Sequence, residues 1–472
     1  MKRRDFLITA GASFFAGGVS SLALSAIGAP MPNPPVTTNL KLQHTNFLFR
    51  EQPTNKLVSL SQNAPPPVIY GLQGQPMKLN VINGLNEYTA MHWHGLRIPN
   101  KMDGVPYLTQ LPIAGGETFN YEFTPPDAGT YWYHPHCMTM TQMASGLTGV
   151  MVIKEKIECG FDSEEIINLR DFRLDNSDQL KQPYTLRGAA RAGTFGNVMT
   201  ANWLKSPVYN HKTGSLVRLR LANTDTTRIY ALFLTSSDGQ GITDGQIIAW
   251  DGHPTDHQIK MPAEQHPLLL GPGQRVDIAC KMPAIEGQTI NIIAKVRANK
   301  KLMASLLSIG QDQKRILKEL KPLPKNPVTE PDLKNAKVHE IIFGWSPEGT
   351  EPNNGFCGSL GKTFWSINRT PWPGDNSENT SPVATLKLGN SYILRLRNSS
   401  PNLHPIHLHG LIFKPLRSNK RKVLPNWTDT FLLLKNEVVD IALVADNPGD
   451  WAFHCHVIEH QKTGLSGYIR VV

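Results

Sequence analysis

Apolar and polar positions alternate in short runs along this chain, and three of the runs share one frame. Each has a glycine, an alternating stretch, and an asparagine nine residues after the glycine. They are Gly74–Asn83 (GQPMKLNVIN), Gly214–Asn223 (GSLVRLRLAN) and Gly389–Asn398 (GNSYILRLRN). Successive side chains of an extended strand point to opposite faces, so a run such as Val217-Arg218-Leu219-Arg220-Leu221 predicts a half-buried strand. Nine residues past each asparagine the copies diverge: His92-Trp93-His94, then Leu232-Phe233-Leu234, then His407-Leu408-His409. A later run repeats the contrast. Five residues after Gly129 and Gly449 stand His134-Pro135-His136 and His454-Cys455-His456, whereas the corresponding stretch after Gly287 reads Ile292-Ile293-Ala294.

Short strands, frequent Gly and Pro turns and little amphipathic helical period predict an all-β chain, and the repeat predicts three consecutive β-sandwich domains. These are expected at 38–156, 162–310 and 335–472, with boundaries near Lys156 and in the Pro- and Lys-rich stretch Lys318–Lys337. The run Leu302–Leu320 is the exception, expected as a helix leading to the second linker. The first and third domains carry histidines at the repeat positions; the middle one carries apolar residues there.

A length of 472 residues accommodates such a set. The formal charge of +10 comes from scattered Lys and Arg without interleaved aromatics, which argues for a solvated cationic surface and against nucleic-acid binding. At the N-terminus, Arg3-Arg4-Asp5-Phe6-Leu7 precedes an Ala-, Gly- and Ser-rich apolar stretch from Ile8 to Ile27. That is the pattern of a twin-arginine export signal over residues 1–29, cleaved after Ala26 or Ala29, and it implies a periplasmic location. A membrane anchor is the competing reading, but the stretch is only weakly apolar, so no stable membrane insertion is expected. Five cysteines leave an odd one. Cys455, between two histidines, reads as a ligand. Cys137, Cys159, Cys280 and Cys357 can pair or stay as buried thiols, and the sequence does not choose.

The chemistry lies in the histidines. At this histidine frequency His-x-His should arise by chance about once or less, yet four copies occur. In a strand, residues i and i+2 share a face, so each pair presents two imidazoles together. Eight such ligands from two domains can converge on a shared interface. In His454-Cys455-His456 the cysteine faces away from both histidines, so one short run of backbone links two metal centres. Cys455 needs two further nitrogen ligands for a His₂Cys trigonal copper site, and His404 and His460 are the candidates. Zinc competes, but this donor set exceeds what a closed tetrahedral site uses, and zinc exchanges no electrons.

His92-Trp93-His94-Gly95, His134-Pro135-His136, His404-Pro405-Ile406-His407-Leu408-His409-Gly410 and His454-Cys455-His456-Val457-Ile458-Glu459-His460 resemble the four copper motifs of multicopper oxidases, in order and over nearly the whole chain. The resemblance implies cupredoxin-like Greek-key domains and four copper ions: one type 1, one type 2 and two type 3. It places the type 1 copper on His404, Cys455 and His460, and the type 2 copper on His92 and His407. His94, His134, His136, His409, His454 and His456 are implied for the type 3 pair. By the same resemblance a donor reduces the type 1 copper, electrons cross from Cys455 through His454 and His456, and dioxygen is reduced to water. Leu465 falls at the family's axial position, where it cannot coordinate. Asp103 matches a carboxylate that assists proton delivery. Related bacterial enzymes place a glutamate after the last type 1 histidine; here it is Gln461, which cannot donate a proton as a carboxylic acid does.

The donor is expected to be a small molecule or a metal ion. A laccase-like oxidase of phenols and aromatic amines is the first reading, and a metal oxidase of Cu(I), Fe(II) or Mn(II) is the alternative. Ser399-Ser400-Pro401-Asn402-Leu403 lacks the Asp/Met pair of cuprous oxidases, and Gly344–Pro382 has no methionine. Met138, Met140 and Met143 follow His136 and are expected to pack rather than bind metal. His44, His211, His253, His257, His266 and His339 are expected to be structural, with His253 and His257 in a solvated loop. A monomer is expected.

Overall fold

The computed structural model describes residues 37–60, 64–241, 245–352, 354–376 and 380–472, so the expected export signal lies outside them. Among these residues α-helix is confined to the short segments Thr139–Ala144, Leu186–Ala189 and Ile458–Lys462. Strands form six sheets, which face one another in pairs around three apolar cores. The chain is all-β, as its alternation predicts.

The three repeat runs are inner strands. Met77–Asn83, Leu216–Asn223 and Ser391–Asn398 pair parallel on one side with Thr37–Leu48, Ser163–Phe172 and Lys337–Trp345. On the other side they pair antiparallel with Thr118–Phe123, Arg275–Lys281 and Val438–Val444. Parallel neighbours cannot be joined by a hairpin. In each unit the intervening chain visits the facing sheet, as Ile69–Leu72, Val208–Lys212 and Ala384–Leu386.

Each run opens on a glycine at positive φ (73°, 65° and 78° for Gly74, Gly214 and Gly389), a conformation that a Cβ disfavours. Each closes on a buried asparagine with the same three bonds. Its amide donates to two carbonyls, of Glu87 and Ile113 for Asn83, Arg228 and Leu270 for Asn223, and Asn402 and Leu434 for Asn398. Its oxygen accepts the backbone N–H two residues on. The corner so fixed aims the next strand, which carries the histidines in the first and third units.

Met91–His94 pairs with Gly129–Pro135 so that His92 faces His134, and His404–Leu408 pairs with Gly449–Cys455 so that His407 faces His454. In the middle unit Tyr230–Ser236 pairs with Thr289–Val296, but Leu232 faces Ala294 rather than Ile292. The displacement is even, so the same faces stay inward.

Two expectations are corrected. Leu302–Leu320 is not a helix: Asn299–Ile309 is a strand between Thr289–Val296 and Val208–Lys212, and only Leu317–Glu319 makes a 3-10 turn. Its buried run Met303–Leu306 completes the middle core, and that pairing overrides the helix-favouring composition. His253 is not in a solvated loop either. It lies buried in His253–Lys260, with its Nδ1 3.1 Å from the Asn326 amide.

Of the four cysteines left open, Cys137 and Cys357 form a disulfide across 220 residues, while Cys159 and Cys280 are buried thiols. The bond ties the residue after His136 to the third unit. Arg97 adds a second tie, to Asp127 at 2.7 Å and Asp446 at 3.0 Å.

Candidate metal centres

The strand His404–Leu408 and the strand ending at Cys455 lie side by side, with Cys455 opposite Ile406. His404 begins the first strand, and His460 lies in the short helix after the second. Their donor atoms form a small triangle: Cys455 Sγ is 3.5 Å from His404 Nδ1 and 3.6 Å from His460 Nδ1, and the two nitrogens are 3.1 Å apart. The outer nitrogen of each imidazole is engaged elsewhere. His460 Nε2–H donates to the Arg191 carbonyl at 2.6 Å, and His404 Nε2 meets Ser400 Oγ at 2.8 Å. Burial holds His404 well below the usual imidazole range and His460 at about 3, which keeps both neutral and able to coordinate. The same burial pushes the Cys455 thiol well up, so it ionises only against a bound cation. Leu465 is fully buried in the apolar cluster that contains Cys455.

On the opposite face of the same strands, the eight paired histidines meet across the first and third units, all essentially buried. They interleave: His92 stacks on His409 with ring centroids 3.8 Å apart, and His94 on His407 at 3.6 Å. Each stack has its own carboxylate. Asp103 Oδ2 accepts from His409 Nδ1 at 2.8 Å, and its backbone carbonyl accepts from His92 Nδ1 at 2.8 Å. Asp429 Oδ1 accepts from His94 Nε2 at 3.0 Å, and its carbonyl accepts from His407 Nδ1 at 3.0 Å. His134 and His454 donate from Nδ1 to the carbonyls of Pro135 and Cys455. Each of these six rings thus spends its one proton on a protein acceptor and turns its other nitrogen inward as a lone pair, the arrangement by which outer partners orient metal-binding imidazoles.

The inward nitrogens of His92, His94, His134 and His407 have no hydrogen-bond partner among the described residues, nor has either nitrogen of His456. His409 Nε2 and His454 Nε2 face one another at 3.0 Å, although both rings have committed their protons elsewhere. Two lone pairs that close, out of reach of water, are reconciled by a cation. Donor groups converge as His92/His94/His134, His92/His407/His409 and His136/His409/His454, besides His404/Cys455/His460. Imidazoles with one thiolate are a set that copper favours.

Asp429 escaped the sequence reading. It is 1% exposed, and Arg275 clamps both its oxygens at 2.9 and 2.7 Å. Burial pushes its carboxyl up, but Arg275 and the His94 and His407 rings outweigh this and hold it well below the usual carboxylate range. The only local signal is an acid in the polar step Thr428-Asp429-Thr430 that leads into a buried strand; its partner Arg275 is 154 residues away. Gln461 is buried with its amide 3.4 Å from His136 Nε2. Glu459 is buried and accepts from the Thr194 backbone N–H at 2.7 Å; burial raises its carboxyl to about 7. Met140 and Met143 are buried in an apolar cluster with Trp132, where they pack as expected.

Residues 41–158 and 356–472 each match the multicopper oxidase family. The crystal structure of a multi-copper oxidase from Pseudomonas thermotolerans superposes with a TM-score of 0.81 at 35% identity, covering 93% of this chain and 100% of that one. A multicopper oxidase of Mycobacterium tuberculosis is 27% identical, covering 88% of this chain and 83% of its own. Laccase-2 of Botryotinia fuckeliana is 26% identical, covering 88% and 78%. With two histidine-rich centres in a frame shared along its length with such enzymes, the chain belongs to the multicopper oxidases, copper-dependent oxidoreductases with dioxygen as electron acceptor.

Proposed function

We propose that the protein is a laccase-like oxidase, which removes single electrons from phenols and aromatic amines at one centre and delivers them to dioxygen at the other. The carrying observation is the pair of lone-pair nitrogens of His409 and His454 at 3.0 Å, beside the Cys455 triangle on the same short stretch of strand. His404, Cys455 and His460 would hold a type 1 copper, and His92 and His407 a type 2 copper. His94, His134, His136, His409, His454 and His456 would hold a type 3 pair. Bound copper supplies one-electron redox chemistry and the place where dioxygen is reduced.

The chain's own residues do the rest. Cys455 and its neighbours His454 and His456 join the two centres through one stretch of backbone, the shortest covalent route between them. Asp103 and Asp429 fix which nitrogen of each stacked ring faces inward. Asp103, 1% exposed with its oxygens 3.2 Å from His92 Nδ1 and 2.8 Å from His409 Nδ1, is placed to receive and pass protons as dioxygen becomes water. Gln461 orients His136 without supplying a proton. Leu465, buried in the apolar cluster with Cys455, would offer a copper held there no further donor, which would favour a high reduction potential.

Three cupredoxin units at 38–156, 162–310 and 335–472, twin-arginine export of residues 1–29 to the periplasm, and a monomeric state complete the proposal. It rests in part on the similarity to a laccase. The test is oxygen uptake by the copper-loaded protein with a methoxyphenol, Cu(I) or Fe(II) as donor. Fast uptake on the phenol that vanishes in Cys455→Ser, together with the blue colour, is the expected result. Uptake with a metal ion alone would make the enzyme a metal oxidase.

A further inference from the structure

The Cys455 centre is shut off from direct contact with a donor. His460 and His404 are fully buried, and their outer nitrogens are taken by the Arg191 carbonyl and Ser400 Oγ. The segment bearing Arg191 is held down on both sides of it, by Trp365 Nε1–H donating to the Ala189 carbonyl at 2.7 Å and by the Thr194 N–H on Glu459. A donor cannot touch either imidazole edge while this cover stays in place.

An aromatic path does reach the surface. Trp345 ends the strand Lys337–Trp345, and Trp365 begins the edge strand Trp365–Ile367 directly opposite, so the antiparallel register puts both indoles on one face. The rings stack with centroids 4.1 Å apart and planes 17° from parallel. Trp365 is fully buried, and its centroid lies 5.0 Å from the His404 ring and 4.6 Å from the His460 ring. Trp345 is 45% exposed, an uncommon surface position for so large an apolar ring. Two ring contacts therefore join solvent to both imidazoles of the Cys455 centre.

We propose that Trp345 is the docking face for aromatic donors and that the Trp345–Trp365 stack is the electron entry to His404 and His460. The proposal rests on the laccase-like reading above. A phenol lies flat on the exposed indole, where offset stacking favours aromatic rings. It loses one electron and its hydroxyl proton. The proton leaves to water, and the electron would be taken up by a copper that His404, Cys455 and His460 would hold. Both indoles end the step unchanged, so no oxidant beyond that copper is needed. Because the ring is recognised by its face, donors too bulky for a closed pocket are accepted.

Syringol is the probe. Its affinity for the copper-free protein, read from broadening of its NMR signals, should weaken about tenfold in Trp345→Ala and change little in Trp345→Phe. Anaerobic mixing of syringol with copper-loaded protein should bleach the blue absorbance, more slowly in Trp345→Ala. It should also be slower in Trp365→Phe, whose syringol affinity stays at the wild-type level. Copper content and reduction potential should match wild type in both Trp345 variants, and the Trp365→Phe rate is compared at that variant's own measured potential, because it also loses the N–H bond to the Ala189 carbonyl. Wild-type affinity and bleaching in Trp345→Ala would overturn the docking site, and wild-type bleaching in Trp365→Phe would overturn the relay. A wild-type protein whose colour syringol never bleaches would instead sink the laccase-like reading, and the electron entry with it.

Discussion

Replacing Asp429 by asparagine removes one negative charge from a position that water does not reach and keeps the size of the side chain. The carboxylate takes two N–H bonds from Arg275, one hydroxyl from Thr430 at 2.7 Å and the His94 Nε2–H at 3.0 Å. Breaking a buried ion pair by removing one partner costs about 3–5 kcal/mol. Arg275 keeps Asp251 at 3.3 Å, which places the expected loss near the lower end, about 3 kcal/mol. The effect on metal is separate. Whichever way an asparagine amide turns, its NH₂ meets a donor, either Arg275 Nη2 or the Arg275 Nη1 and His94 Nε2 pair; in the second orientation the His94 proton is no longer pinned to Nε2 and its Nδ1 lone pair is no longer assured. Loss of such an outer partner weakens metal binding about 10- to 100-fold. Chelator competition on Asp429→Asn should therefore strip copper from the eight-histidine centre first, while the blue absorbance of the Cys455 centre persists. Denaturant unfolding of the copper-free variant measures the stability term. Unchanged copper affinity in Asp429→Asn, or simultaneous loss of both centres, would refute the reasoning.

Leu465→Met conserves volume in a buried site, so stability should change by less than about 1.5 kcal/mol while a weak thioether ligand lowers the type 1 potential. A redox titration showing no shift would mean that position 465 does not face the metal. Breaking the disulfide by Cys137→Ser and Cys357→Ser opens a loop of 220 residues and should cost about 2–5 kcal/mol in denaturant unfolding; a loss below about 1 kcal/mol would show that other contacts hold this junction. His253, which burial lowers to about 4, favours its neutral form in the fold. Its contribution is complete above the unfolded value of about 6.5 and is lost as pH falls from there through about 4, by up to about 1.4 kcal/mol per pH unit. His253→Gln should lower that slope in the copper-free protein by up to about 1.4 kcal/mol per pH unit, the other buried histidines contributing the rest, and an unchanged slope would contradict the assignment.

The sequence by itself determined the architecture and its two chemical positions. Alternation with period two, a glycine at each opening turn and an asparagine at each closing corner are local requirements of the backbone, so they read directly from Gly74–Asn83 and its two copies. His-x-His in a strand puts two imidazoles on one face whatever lies opposite, and His454-Cys455-His456 must present thiol and imidazoles to opposite sides. Tertiary structure decided whatever depends on residues meeting across the chain. Leu302–Ile309 carries helix-favouring residues, and only the strands beside it made it a strand. Which of four cysteines pair depended on two loops brought together from 220 residues apart. Asp429, Arg191 and Trp365 have no signature of their own, because an acid, a carbonyl and an indole are commonplace until the fold sets them against His94, His460 and His404. Strand periodicity is encoded every two residues, but the partners that orient each imidazole and cover the Cys455 centre are set by packing between units, which no local spacing specifies.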